Sequence, residues 1–313
     1  MRGNLLRPEA LRDTLNILYI QNSTTTKGAL MADNSAAQAA AISYLFVPAS
    51  RPDRFEKALA SPADAVIIDL EDAVPSEEKD AALQHLLTAL EAGAIRAVHV
   101  RINAADSQWF ERDLAALAQL SEVARASLAG VFLPKAELAH DLQRVVEAVQ
   151  GGQRAPEVVA LIESARGVAA AREIAAVPGL SRFAVGAADL SFDLDVEIVS
   201  ATVDWVYAQL VIESRLAGLA APIASPTFEI ADVAAVEREA VRLRGIGATA
   251  QLSIHPGQLP AIHAGFLPAP ERVEWARRVV AAAAATDGAA QVDGQMVDKP
   301  VRERAERILA QVR

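Results

Sequence analysis

Residues 66–74 read VIIDLEDAV. An unbroken apolar run ends at Ile68 and meets three carboxylates, Asp69, Glu71 and Asp72. A strand apolar on both alternating sides is buried on both, the habit of a parallel sheet. The acids then mark the end of that strand and ask for a cation beside it. Working outward, seven more short apolar runs share the pattern: YLFV (44–47), AVHVR (97–101), GVFLP (130–134), VVALIE (158–163), FAVG (183–186), AAPIA (220–224) and LSIHP (252–256), with AVIID (65–69) the run already met. Most intervals leave room for one helix and two loops. Repeated β–α units predict an α/β fold, and eight of them predict a (β/α)8 TIM barrel over 41–270. A doubly wound open sheet is the alternative, but no strand opens into a convincing glycine-rich dinucleotide loop; GIGATA (245–250) is too weak.

The flanks read differently. Residues 1–40 are expected to be a disordered or loosely attached leader, with Met31 an alternative start. PADAV (62–66) and PSEEKDAAL (75–83) carry helix-start signals. Beyond the eighth strand, 271–313 is expected to be a helical extension: a helix over 271–285, a flexible TDGAAQVDGQ, then a helix in KPVRERAERILAQVR.

Composition removes several classes of function. The 313 residues carry a net charge of −10, against the basic footprint that nucleic acid requires. There is no cysteine, so there are no disulfides, thiolate metal sites or thiol nucleophile, which fits a cytoplasmic location. No apolar run reaches the roughly 18 residues of a membrane span.

In a parallel barrel the active site lies where the strands end. Arg51, the acids at 69–72, Arg101, Lys135, Glu163, Asp189 and His255 all fall there. Glu163 and Asp189 follow neighbouring strands, about 4.8 Å apart, so their carboxylates can share a hard divalent cation such as Mg²⁺. Alternatively each caps the helix after it or pairs with an arginine. Arg101 is the anion clamp, its planar fork matched to a carboxylate. Asp69, Glu71 and Asp72 would orient Arg101 and hydrogen-bond waters on the ion, with Asp72 beginning a helix. His99 reads as a core or supporting residue, and His85, His140 and His263 as surface or helix positions; no histidine pair has zinc spacing.

Together YLFVPASRPDRFEKA, ADAVIIDLEDAVPSEEKDAA, VRIN, VFLPK, LIESARGV, AVGAADLSFDL and SIHPGQ resemble, in order from about residue 42 to 270, the citrate lyase beta-subunit-like family of the HpcH/HpaI aldolases. The resemblance implies a Mg²⁺-dependent carbon–carbon lyase that cleaves malyl-, citramalyl- or citryl-CoA into a 2-oxo acid and an acyl-CoA. It places Glu163 and Asp189 on the metal and makes Arg101, with Glu163, the substrate side. Arg51 and Lys57 would approach the CoA phosphates. Asp298, in the tail, would be delivered to a neighbouring subunit's site as the base; the residue types alone equally allow a helix cap before Pro300. Homotrimers or hexamers are implied. Alternatives are a metal aldolase for a free 2-oxo acid, a subunit acting on a citryl-carrier protein, and a scaffold without activity. The chain departs from the pattern at Ile42-Ser43 (for Arg-Ser), at Ala250-Gln251 (for Gly-Lys) and over ASPTFEI (224–230). These departures bear on the acyl carrier and substrate rather than the metal.

Overall fold

The structure, a computed structural model, describes residues 41–152, 154–285 and 290–312. The expected leader over 1–40 lies outside them. Eight parallel strands close into a barrel: β1 (Ser43–Pro48), β2 (Ala65–Asp69), β3 (Val98–Arg101), β4 (Leu128–Leu133), β5 (Glu157–Ile162), β6 (Leu180–Val185), β7 (Ala220–Ala224) and β8 (Ala250–Ser253). β8 closes on β1, with Ser43 opposite Gln251 and Leu45 opposite Ser253. All eight expected strands are present. The last ends earlier than its apolar run, because His255 caps a short 3₁₀ turn over Pro256–Gln258.

Alternation along the strands builds two cores. Ala65, Ile67, Val159, Leu161, Phe132 and Leu252 fill the barrel interior. Val66, Ile68, Val100, Val158 and Ile162 face outward onto the helices. Both faces are therefore apolar, which is why the strands read as continuous runs. The surrounding helices are α1 (Phe55–Leu59), α2 (Lys79–Glu91), α3 (Phe110–Ala118), α4 (Glu122–Ser127), α5 (Ala139–Val149), α6 (Ala165–Ala175), α7 (Ala187–Leu194), α8 (Ala201–Ala217), α9 (Val233–Ile246) and α10 (Leu259–Phe266). Their starts follow capping chemistry. Ser164 accepts from the Gly167 N–H at 3.2 Å to open α6, and Ser200 from Val203 at 3.3 Å to open α8. α5 buries Leu142, Val145, Val146 and Val149, a one-sided stripe at helical spacing.

Three local expectations are corrected. PADAV starts no helix; it is the turn into β2, whose apolar Ala65 and Val66 are claimed by the sheet. Asp72 starts no helix either: it lies in a turn, and the chain becomes helical only at the 3₁₀ turn Ser76–Glu78 before α2. The expected flexible stretch contains a hairpin, β9 (Ala290–Val292) with β10 (Gln295–Val297), turning at Asp293 and Gly294, both at positive φ (52° and 77°). Asp-Gly is the dipeptide such a two-residue turn favours. Around the hairpin pack α11 (Pro270–Ala284) and α12 (Lys299–Leu309), which bury Val273, Ala276, Val279, Ala305 and Ile308 as a small core of their own. No helix among the described residues is long and apolar enough to cross a membrane.

Candidate active site

The inward rows of the barrel interior continue past the strand ends. On β2 the row 65, 67, 69 places Asp69 inward; on β3 it places Arg101; beyond β5 the row 159, 161 is continued by Glu163. Each is at most 8% exposed. Asp69 takes the Arg101 fork with both oxygens, Nε to Oδ1 at 2.7 Å and Nη2 to Oδ2 at 2.6 Å. Nη1 faces Glu71 at 3.1 Å and Asp72 at 3.5 Å. Asp69 also accepts from the backbone N–H groups of Glu71 (2.9 Å) and Ala73 (3.1 Å), which fixes the turn after β2. Burial alone would weaken the Arg101 charge, but the Asp69 and Glu71 carboxylates hold it protonated. All three acids of the VIIDLED run thus lie within ion-pair distance of Arg101.

Glu163 accepts from the Lys135 backbone N–H at 2.9 Å. Lys135 itself has a left-handed backbone conformation, φ 47°. Asp189 sits in the first turn of α7, after the neighbouring strand, and is solvent-facing. Both line one cavity of about 330 Å³ together with Asp69, Asp72, Arg101 and Gly186. Gly186 lets Glu163 in: a Cβ there would stand 2.3 Å from Glu163 Oε1. Burial pushes Glu163 up to about 8; Arg101 opposes the shift, while Glu71 and Asp189 add to it. Burial likewise raises Glu71 to about 7, against the pull of Arg101. Five carboxylates, of Asp69, Glu71, Asp72, Glu163 and Asp189, face three cations, Arg101, Lys79 and Lys135, whose Nζ is 3.5 Å from Glu71. Carboxyls that burial makes costly to ionise, as at Glu163 and Glu71, are groups that a divalent cation held by oxygens would stabilise in the charged form. Among the described residues no group of three or more His, Asp or Glu forms a ready-made metal shell. A divalent ion held there by Glu163 and Asp189 would have to complete its shell with water and substrate oxygens.

Two supporting residues were not legible as such. Lys79, 6% exposed, donates to the carbonyls of Leu70 (2.7 Å) and Glu71 (2.8 Å) and to Asn103 Oδ1 (2.6 Å). Its three donors staple the turn after β2 to the loop after β3, where Asp113 in turn holds Asn103 Nδ2 at 2.6 Å. In sequence it is one lysine in a charged helix start. Gly186 gives no signal without knowledge of what approaches it.

The remaining expected residues are less committed. Arg51 is exposed after β1, its fork taken by Asp53 at 2.9 and 2.7 Å. Lys57 is exposed on α1. Asp298 caps α12, accepting from Val301 N–H at 3.0 Å, and is not among the cavity's lining residues. His99 is buried at the opposite mouth beside Glu157 (3.0 Å). His263 lies on α10, one of the helix positions expected, and is tied to Ser43 Oγ (2.9 Å) and Asp64 (3.2 Å), because α10 packs back against the start of β1.

A family model described as HpcH/HpaI aldolase/citrate lyase matches residues 43–256. A citrate lyase subunit beta-like protein of Mycobacterium tuberculosis is 38% identical over 87% of this chain and 96% of its own length. The L-malyl-CoA/beta-methylmalyl-CoA lyase of Cereibacter sphaeroides is 30% identical over 85% of this chain and 93% of its own. Among solved structures, M. tuberculosis CitE in complex with magnesium, acetoacetate and coenzyme A superposes with a TM-score of 0.73 at 34% identity, covering 87% of this chain and 98% of that one.

Proposed function

We propose, from the premise that this chain belongs to the HpcH/HpaI aldolase/citrate lyase family, that it is a Mg²⁺-dependent lyase cleaving a 3-hydroxyacyl-CoA into a 2-oxo acid and an acyl-CoA. The observation that carries the reading is one cavity lined together by the buried Glu163, by Asp189, and by Arg101 with the Asp69 that holds it. The magnesium complex of the M. tuberculosis relative supports the choice of ion, and its coenzyme A the choice of carrier.

Glu163 and Asp189 would hold the ion, which when bound polarises the 2-oxo acid carbonyl as a Lewis acid. Arg101 keeps its Nη1 edge toward the cavity acids, where it can turn to a substrate carboxylate. Asp69, bidentate on the other edge, stops the guanidinium from rotating away. In the cleavage direction a base takes the C3 hydroxyl proton. The C2–C3 bond breaks, C3 becomes the 2-oxo carbonyl, and the electron pair passes to the thioester as an enolate that is then protonated at C2. Asp298 from a neighbouring copy is the proposed base. Arg51 and Lys57, both exposed after β1, would meet the CoA phosphates, with Arg51 released by Asp53. A stripe of exposed apolar residues on α8, Trp205, Ile212 and Leu216, supports association into an oligomer, to be read by sedimentation equilibrium.

The test is to incubate the purified chain with Mg²⁺ and malyl-, citramalyl- or citryl-CoA and to measure released 2-oxo acid. Turnover is expected for at least one thioester and is lost with EDTA or Glu163→Ala. Turnover that survives both treatments overturns the reading. Cleavage of free acids but not of thioesters would instead favour the CoA-independent aldolase.

A further inference from the structure

The cavity above Glu163 has a second side that the lyase chemistry does not use. Its acids and Arg101 come from the ends of β2, β3, β5 and β6. The arc formed by β7, β8 and β1 contributes Phe46, Pro226, Phe228, Leu252 and Ile254. No lysine, arginine or histidine of that arc lines the cavity. Its one polar lining residue, Ser225, has its Oγ engaged by the Ala187 N–H at 3.1 Å. Phe228 is 54% exposed and Ile254 39%, apolar surface left uncovered at the mouth of a charged site.

The arc is also built to stay in place. Gln251, fully buried and facing outward from β8, donates to Ser225 O (3.2 Å) and Thr227 Oγ1 (2.9 Å). Gln258 donates to Thr227 O (2.6 Å) and Glu229 O (2.8 Å). Four hydrogen bonds therefore fix the loop that carries Phe228, on both sides of it. Gln251 and the loop both belong to the stretches where the sequence departs from the family pattern.

Resting on the lyase reading above, we propose that this apolar arc is the subsite for the substituent on the 2-oxo acid half, and that it accepts a short apolar group and rejects a second carboxylate. A carboxylate placed against Pro226, Phe228 and Leu252 would lose hydration for at most the Ser225 hydroxyl, and Arg101, stacked on Phe46 at 4.6 Å, is already held by Asp69, Glu71 and Asp72. Nor does the acid-rich side offer a spare cation: Arg101 is shared among Asp69, Glu71 and Asp72, and Lys135 lies beside Glu71. The preferred substrate thus carries a methyl or similar group on the hydroxyl-bearing carbon, and the product acid is of the pyruvate type.

Two measurements test this with the full chain and Mg²⁺. The first compares kcat/KM for citramalyl-CoA and citryl-CoA; the methyl substrate is expected to lead by about 100-fold. The second compares binding of pyruvate and oxaloacetate by calorimetry, with pyruvate expected to bind more tightly. Phe228→Arg, and separately Ile254→Lys, place a cation on the arc and should narrow both ratios at least 10-fold by improving the dicarboxylic ligand. Both positions are substantially exposed, so neither change threatens folding. Citryl-CoA cleaved as well as citramalyl-CoA, or variants that weaken both ligands equally, would overturn the subsite while leaving the lyase reading intact. Tighter binding of pyruvate with no thioester turnover would overturn the lyase reading and uphold the subsite.

Discussion

At the N-terminal mouth of the barrel, Glu157 accepts from His99 Nε2 at 3.0 Å and from Tyr44 Oη at 3.3 Å, while Arg182 spans to Tyr44, Thr249 and the Ala221 carbonyl. At the C-terminal mouth, Asp69, Glu71, Asp72 and Glu163 crowd around Arg101. Both ends bury carboxylates with one arginine. Burial would raise both Glu157 and Glu163, but at Glu157 the His99 hydrogen bond and Arg182 outweigh it and the carboxyl falls below its ordinary range. At Glu163 burial wins. The same residue types therefore pair the carboxylate at one end with His99 and Arg182 and leave the carboxyls at the other end costly to ionise. Carboxyls kept costly to ionise, more than the mere presence of polar groups, separate a site from a scaffold.

Replacing Glu163 should break the contrast most sharply. Glu163→Gln keeps an acceptor for the Lys135 N–H but removes a carboxyl that burial keeps from ionising as it would in the unfolded chain. We expect kcat/KM to fall roughly 1000-fold, the several kcal/mol that a Lewis acid contributes. Without metal, the variant should nevertheless melt at a higher temperature than the parent, since relieving strain at a site stabilises the fold. Thermal melts with and without Mg²⁺ read both halves: the parent should gain Tm from the ion and the variant should not. A variant that melts lower without metal would mean that the Glu163 charge is already compensated.

A smaller effect is expected from Gly186→Ala. The backbone there has φ −99°, which any residue adopts, so the fold tolerates alanine. The new Cβ, however, would stand 2.3 Å from Glu163 Oε1, and the carboxylate must swing toward the open cavity. A displacement near 1 Å costs about 100-fold in rate. The check is a kcat and Mg²⁺ titration beside a melt: activity should drop with little loss of Tm. Unchanged activity would show that Glu163 need not hold this geometry.

How much of this was legible follows from where the information resides. The eight strands were, because two-sided burial writes itself as apolar runs. The inward placement of Asp69, Arg101 and Glu163 was also legible, because a two-residue period carries past a strand end. The Asp293-Gly294 hairpin was misread as a flexible loop because its strands have only three residues each, too few for a period to show. Lys79 and Gly186 were invisible because their meaning lies in what comes near them: two carbonyls and Asn103 in one case, a carboxylate in the other. Asp298 stayed ambiguous between base and cap, since one carboxylate serves either use, and the cap is the use seen in a single chain.

The smallest functional effect is expected at the opposite mouth, where Glu157→Gln tests whether the pairing there is only structural. Glu157 lies at the first residue of β5, at the far end of that strand from Glu163, so kcat and KM should stay within about twofold. Stability should fall, by about 1–3 kcal/mol, because His99 and Arg182 lose the charge they face. The pH dependence fixes the sign. A carboxyl depressed in the folded state binds fewer protons there than in the unfolded chain. Its contribution is complete above the unfolded value of roughly 4.3 and is lost as pH falls through the lower folded one. Burial holds the Tyr44 phenol above its ordinary range, so it stays neutral throughout that window. Denaturant midpoints of the parent should therefore fall more steeply toward acid than those of Glu157→Gln, the two curves converging at low pH. Parallel curves would mean that Glu157 contributes packing and not charge, and the two mouths would then differ less than their electrostatics imply.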